Sequence, residues 1–136
     1  MSRPLLFAPA TLVFAGAAVA SPIHLTCLIE SSKGREIVYE ITINPDRENG
    51  LVGQMFPDGS FSTRKHSQFI TSKSYMLKFV ESKGKNDFPY TEETTYSIDR
   101  TSGILYRSWS QTWKHRDASG GDYGVCKKSD PVETLF

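Results

Sequence analysis

The stretch Thr94-Thr95-Tyr96-Ser97-Ile98-Asp99-Arg100-Thr101-Ser102-Gly103-Ile104-Leu105-Tyr106-Arg107-Ser108-Trp109 holds two alternating runs joined by a turn. Before the turn, Thr94, Tyr96 and Ile98 occupy every second position. After it, Ile104 and Tyr106 share one face, while Leu105, Trp109 and the later Trp113 share the other. A period of two is the side-chain period of a β-strand. Between the runs, the Asp99 carboxylate can accept backbone N–H bonds and Gly103 can take a positive φ without a Cβ clash. The segment reads as a β-hairpin.

The same period extends outward. Ile23, Leu25, Cys27 and Ile29 alternate with His24, Thr26 and Leu28. Ile37, Tyr39, Ile41 and Ile43 alternate with Glu40 and Thr42 with only Val38 out of step, and later come Tyr75, Leu77 and Phe79 at every second position. Ser32-Lys33-Gly34 and Asn49-Gly50 supply turn chemistry around the second strand, and Pro57-Asp58-Gly59 ends a shorter third strand near Leu51 to Phe56. From Lys65 to Ser82 the apolar set Phe69, Ile70, Met76, Leu77 and Val80 fits a helical face. The break Thr71-Ser72-Lys73-Ser74 and the aromatic and β-branched content favour two strands instead. The expected fold is all-β, an antiparallel meander of about seven or eight strands. Its edges must be hidden, in a small closed barrel or in a two-sheet sandwich.

The N-terminal residues place the chain. Arg3, the small and apolar run from Leu5 to Ala20, and the triplet Ala18-Val19-Ala20 read as a signal peptide cleaved after Ala20, leaving 21–136 as one domain. Pro9 and Thr11 fit a membrane anchor poorly, and His24-Leu25 before Cys27 does not suit lipid attachment. The expected location is periplasmic or secreted. In such a compartment Cys27 and Cys126 are expected to pair, closing a loop of about 100 residues for which the chain-entropy model gives roughly 4.7 kcal/mol. Removing Arg3 leaves 15 basic against 15 acidic residues. That balance argues against a nucleic-acid partner, and after cleavage no membrane partner is expected.

Catalytic and metal motifs do not emerge. His24, His66 and His115 are scattered, each expected on the surface of a strand or loop, and no Gly-x-Ser-x-Gly is present. Glu92 and Glu93 are adjacent, so on a strand they face opposite sides. No catalytic residue, metal or cofactor is expected. Two aromatic features stand out among 16 aromatic residues. One is Tyr106, Arg107, Trp109 and Trp113, a candidate stacking row unless Trp109 and Trp113 fill the core beside Leu105. The other is the polar loop from Glu81 to Tyr90, ending in Phe88-Pro89-Tyr90. The expected binding residues are therefore Tyr106, Arg107, Trp109, Phe88 and Tyr90, toward a protein or glycan partner, in a monomer.

At the Ile-Asp-Arg-Thr-Ser-Gly hairpin and the Gly124-Val125-Cys126 end, the chain resembles small exported bacterial all-β proteins of unknown function. In these a cysteine near the mature N-terminus, that turn and a terminal Gly-x-Cys recur. It is similar in size and strand plan to exported barrel-shaped lysozyme inhibitors, but lacks their inhibitory loop pattern, and neither resemblance assigns a functional residue. The expected function is a non-enzymatic exported binding or inhibitor module. A lipocalin-like barrel holding a small apolar ligand is the alternative, and a secreted hydrolase the third choice.

Overall fold

The structure, a computed structural model, describes residues 21–30, 34–84 and 89–130; residues 1–20, expected from the sequence to be a signal peptide, lie outside them. Eight strands follow one another: β1 (Ile23–Glu30), β2 (Glu36–Ile43), β3 (Asn49–Met55), β4 (Phe61–Ile70), β5 (Ser74–Lys83), β6 (Tyr90–Asp99), β7 (Ile104–Trp113) and β8 (Asp117–Lys128). Each pairs antiparallel with the next, and β8 returns to β1, so the sheet is a closed up-and-down barrel. Between barrel and sandwich, closure decides for the barrel. The ambiguous Lys65–Ser82 segment is two strands, with the turn at Thr71 to Lys73 where the polar break lies.

Closure runs through five facing pairs from Leu25↔Lys128 to Ile29↔Gly124, with Cys27 directly opposite Cys126. The two cysteines form a disulfide at a Cα separation of 4.0 Å, both buried. The ends of the chain's pattern thus meet at one seam. Small residues make room there: Gly120 faces Trp109 and Gly124 faces Leu105, and a Cβ on Gly120 would sit 2.8 Å from the Trp109 ring. An eight-stranded barrel is just wide enough for side chains to fill, and bulky groups on one strand need small ones opposite.

One half of the interior is packed and apolar. Leu25, Ile41, Ile43, Leu77, Ile98 and Leu105 are each at most 5% exposed, and all lie toward the end where the 44–48, 71–73 and 100–103 turns gather. Gln68 closes this end. Its side-chain amide donates to the carbonyls of Asn44 and Arg47, and its Oε1 accepts from Asn44 N–H at 3.1 Å. A buried amide with its bonds met is tolerated where an unmet one is not. The Asn49-Gly50 pair, expected as a turn, lies inside β3 instead. Gly50 is buried because a Cβ would come within 2.9 Å of Thr42 O, Gln68 Oε1 and Leu77 Cδ2; close packing, not turn geometry, accounts for this glycine.

The Asp99 turn forms as its residues dictate. Asp99 Oδ1 accepts the N–H groups of Thr101 and Ser102, each at 2.8 Å, and Gly103 takes φ +78°. Those backbone donors hold the Asp99 carboxyl below the usual range. Gly103 O then accepts Cys126 N–H at 2.7 Å, tying the hairpin to the seam.

On the outer wall one ladder of facing residues is apolar across six strands: Phe61, Met55, Val38, Leu28, Val125 and Ile104. All but Val38 are exposed. Charged residues such as Lys65, Lys78, Glu40 and Lys127 occupy other outward positions.

Two stability outcomes follow from this packing. Leu77→Ala, inside the barrel, lowers unfolding free energy by about 2–5 kcal/mol in urea titration, whereas Val80→Ala, pointing outward, changes it by about 0.5 kcal/mol or less. Replacing both cysteines by serine costs roughly 2–5 kcal/mol. Intact-mass measurement on the protein purified without reductant finds no free thiol before reduction; two free thiols would contradict the seam.

Candidate functional site

The inward positions that are apolar in one half of the barrel turn polar in the other. Along β5 the series Tyr75, Leu77, Phe79 continues with Glu81 and Lys83, and along β6 the series Ile98, Tyr96, Thr94 continues with Glu92. On β7 Leu105 is followed inward by Arg107, and on β4 the inward residues Ser62, Arg64, His66 and Gln68 are all polar. From His66, Phe79, Tyr96 and Arg107 toward the open end, these side chains, together with Val52, Gln54 and Phe56, line a cavity of about 220 Å³.

Its charges are arranged in a network. Lys83 Nζ lies 2.6 Å from Glu92 and 3.2 Å from Glu81, and Gln111 Nε2 donates to Glu92 at 3.1 Å. These bonds hold the Glu92 carboxyl below its ordinary range and the Lys83 ammonium above its own. Arg64 reaches Glu81 only at 3.5 Å and lies over the Phe79 ring at 4.6 Å. Deeper in, Arg107 Nη1 pairs with Asp122 at 3.0 Å; among the described residues its buried Nε has no hydrogen-bond partner.

An aromatic wall stands between the two arginines. The His66 ring is 5.2 Å from Phe79 and 5.7 Å from Tyr96, and Tyr96 meets Tyr39 edge-on at 5.2 Å. Burial pushes the Tyr39 hydroxyl far up, so it stays protonated. Burial also lowers the pKa of His66, against the opposing bond from its Nδ1 to the Arg64 carbonyl at 3.1 Å. His66 was expected at the surface and is instead 5% exposed inside the barrel, because β4 turns its polar residues inward. His24 faces Thr42, whose Oγ1 lies 3.2 Å from its Nδ1, and His115 is exposed.

Of the five expected binding residues, Tyr106 and Trp109 both line a shallow recess of about 270 Å³ beside Gly120 and Gly121, and Arg107 and Tyr90 lie apart from it. Arg107 lines the cavity; Trp109 shares its inward face, half-buried against Gly120. Tyr90 stacks on Trp113 at 4.1 Å at the open rim, with Arg116 5.5 Å from the Trp113 ring. Tyr106 is on the outer wall, packed on Tyr123 at 4.7 Å and across Gly121. Phe88 lies outside the described residues. The aromatic row along β7 is therefore divided between two faces of the wall. The Glu81–Tyr90 loop is also shorter than expected, since β5 continues to Lys83 and carries Glu81 and Lys83 into the cavity wall.

Arg64, His66, Phe79, Glu81, Lys83, Glu92 and Tyr96 were not singled out as a site from the sequence. Their signal was parity: each continues an inward series or faces one across the ladder. Among the described residues no group of three or more His, Cys, Asp or Glu is placed to hold a metal ion. The cavity presents paired charges and ring faces around a small volume.

The lowered His66 pKa has a definite consequence for stability. Between the unfolded value of about 6.5 and the depressed folded one, the unfolded chain binds the proton and the folded chain does not. Stability is therefore unaffected above that window and falls as pH drops through it. In His66→Phe, which keeps a ring against Phe79 and Tyr96, this part of the decline between pH 7 and 5 disappears in urea titrations. His24 and His115 remain in both proteins, so an unchanged slope would remove His66 as its source.

Comparison with protein-family models, with curated proteins and with solved structures finds no match.

Proposed function

We propose that the mature protein is an exported, non-catalytic binding module that takes a small polar ligand into the open half of its barrel. The observation that carries this reading is the charged lining of the 220 Å³ cavity. A domain that needed only stability would continue its apolar filling toward the mouth, since apolar burial adds stability and partly solvated ion pairs add little. Here Arg64, Glu81, Lys83, Glu92 and Arg107 occupy those positions. The same lining disfavours the apolar-ligand alternative, which would leave these groups facing hydrocarbon. A hydrolase finds less support, because the cavity's histidine packs on Phe79 and Tyr96 with its Nδ1 on a backbone carbonyl.

Export is supported by the Cys27–Cys126 disulfide. No described helix is long and apolar enough to cross a membrane. The charged residues on the outer wall are unlike the continuous apolar band of a lipid-facing barrel. A second reading, contact with another protein, is favoured by the exposed apolar ladder from Phe61 to Ile104.

Amide chemical shifts of the isotope-labelled mature protein, followed against a fragment set of mixed charge, test the first reading. Changes are expected to cluster on β4, β5 and β6 around Arg64, Phe79, Glu81 and Glu92. Shifts confined to the outer wall, with none in the cavity for any fragment, would overturn it and favour the protein-contact reading.

A further inference from the structure

We infer that the ligand of this cavity is a small monoanion, a carboxylate carried on a single planar ring, held between Arg107 and Arg64. The inference rests on the binding reading above and adds the chemistry of the ligand. Size comes first. An engineered cavity of about 150 Å³ takes up benzene. One of about 220 Å³ has room for a ring and one compact polar group, and little more.

The hydrogen-bonding state of the lining decides the charge. Glu81 and Glu92 are the carboxylates that line the cavity, and Lys83 bridges both, at 3.2 and 2.6 Å. An incoming cation would find its partners already engaged. The two arginines are differently placed. Arg64 is 53% exposed and holds only a 3.5 Å contact to a carboxylate that it shares with Lys83. Arg107 gives Nη1 to Asp122 and has the Tyr96 hydroxyl as a further side-chain partner. The lining sets three cationic side chains, Arg64, Lys83 and Arg107, against two carboxylates, and a guanidinium edge matches a carboxylate with directed, charge-assisted bonds. What the lining lacks is an anionic acceptor. The ring follows from the aromatic side chains that the lining leaves accessible, Phe56 and the half-buried Phe79, the latter with Arg64 over its ring at 4.6 Å.

Benzoate, its neutral isostere benzamide and the cation benzylamine, titrated separately into the mature protein with amide shifts as readout, test the inference. Benzoate is expected to bind in the cavity about ten-fold or more tighter than either of the others, as charge-assisted bonds to a guanidinium would give. In Arg107→Gln that preference is expected to vanish. Should this variant fail to fold, Arg64→Gln, at an exposed position, carries the test, with benzoate several-fold weaker and benzamide unchanged. Benzamide or benzylamine binding in the cavity as tightly as benzoate would overturn the anionic assignment and leave the binding reading standing. No cavity shift from these probes or from any fragment would overturn both.

Discussion

The pairing of β8 with β1 is the constraint on which the rest of this molecule depends. An eight-stranded meander left open would present two unpaired edges; closing it satisfies both and sets the diameter of the interior. The seam is held by backbone ladder bonds and by the disulfide at a directly facing pair, 99 residues apart in sequence. The Asp99 hairpin is joined to it through Gly103 and Cys126. A local turn and the pairing of the first strand with the last thus support each other.

Once the diameter is set, side-chain volume decides what the interior becomes. β8 contributes Ala118, Gly120 and Gly124 inward, and this allows Trp109, Leu105 and Ile29 to fill the space across from them. Toward the Gln68 end the result is a packed core. Toward the other end the inward residues are long and charged, and their heads pair with one another around a cavity instead of filling it. The gradient from apolar floor to charged mouth runs along single strands, β5 and β6 most clearly.

That gradient also separates two kinds of surface that a linear reading merges. Tyr106 and Arg107 are neighbours in sequence, yet one packs on Tyr123 outside the wall and the other meets Asp122 inside it. The outer apolar ladder arises likewise from six strands that each contribute one residue, none of them notable within its own strand. Both the cavity and the ladder are properties of register.

From the sequence by itself, the period of two, the turn residues and the two cysteines determined an all-β chain with paired ends, because side-chain alternation and Asp–Gly turn chemistry are local and survive in the linear text. The Leu105–Arg107–Trp109 face was legible for the same reason. The cavity was not. Its members come from five strands, and on β4 the usual pattern is inverted, with Arg64 and His66 inward and Phe61 and Phe69 outward. Which parity of each strand faces in, and which charged residue meets which, is set only when closure brings β3 to β7 around one axis. The tertiary structure alone decided that Lys83 would engage both carboxylates and that Arg107 would pair with Asp122, since those outcomes depend on distances between strands that no local spacing encodes.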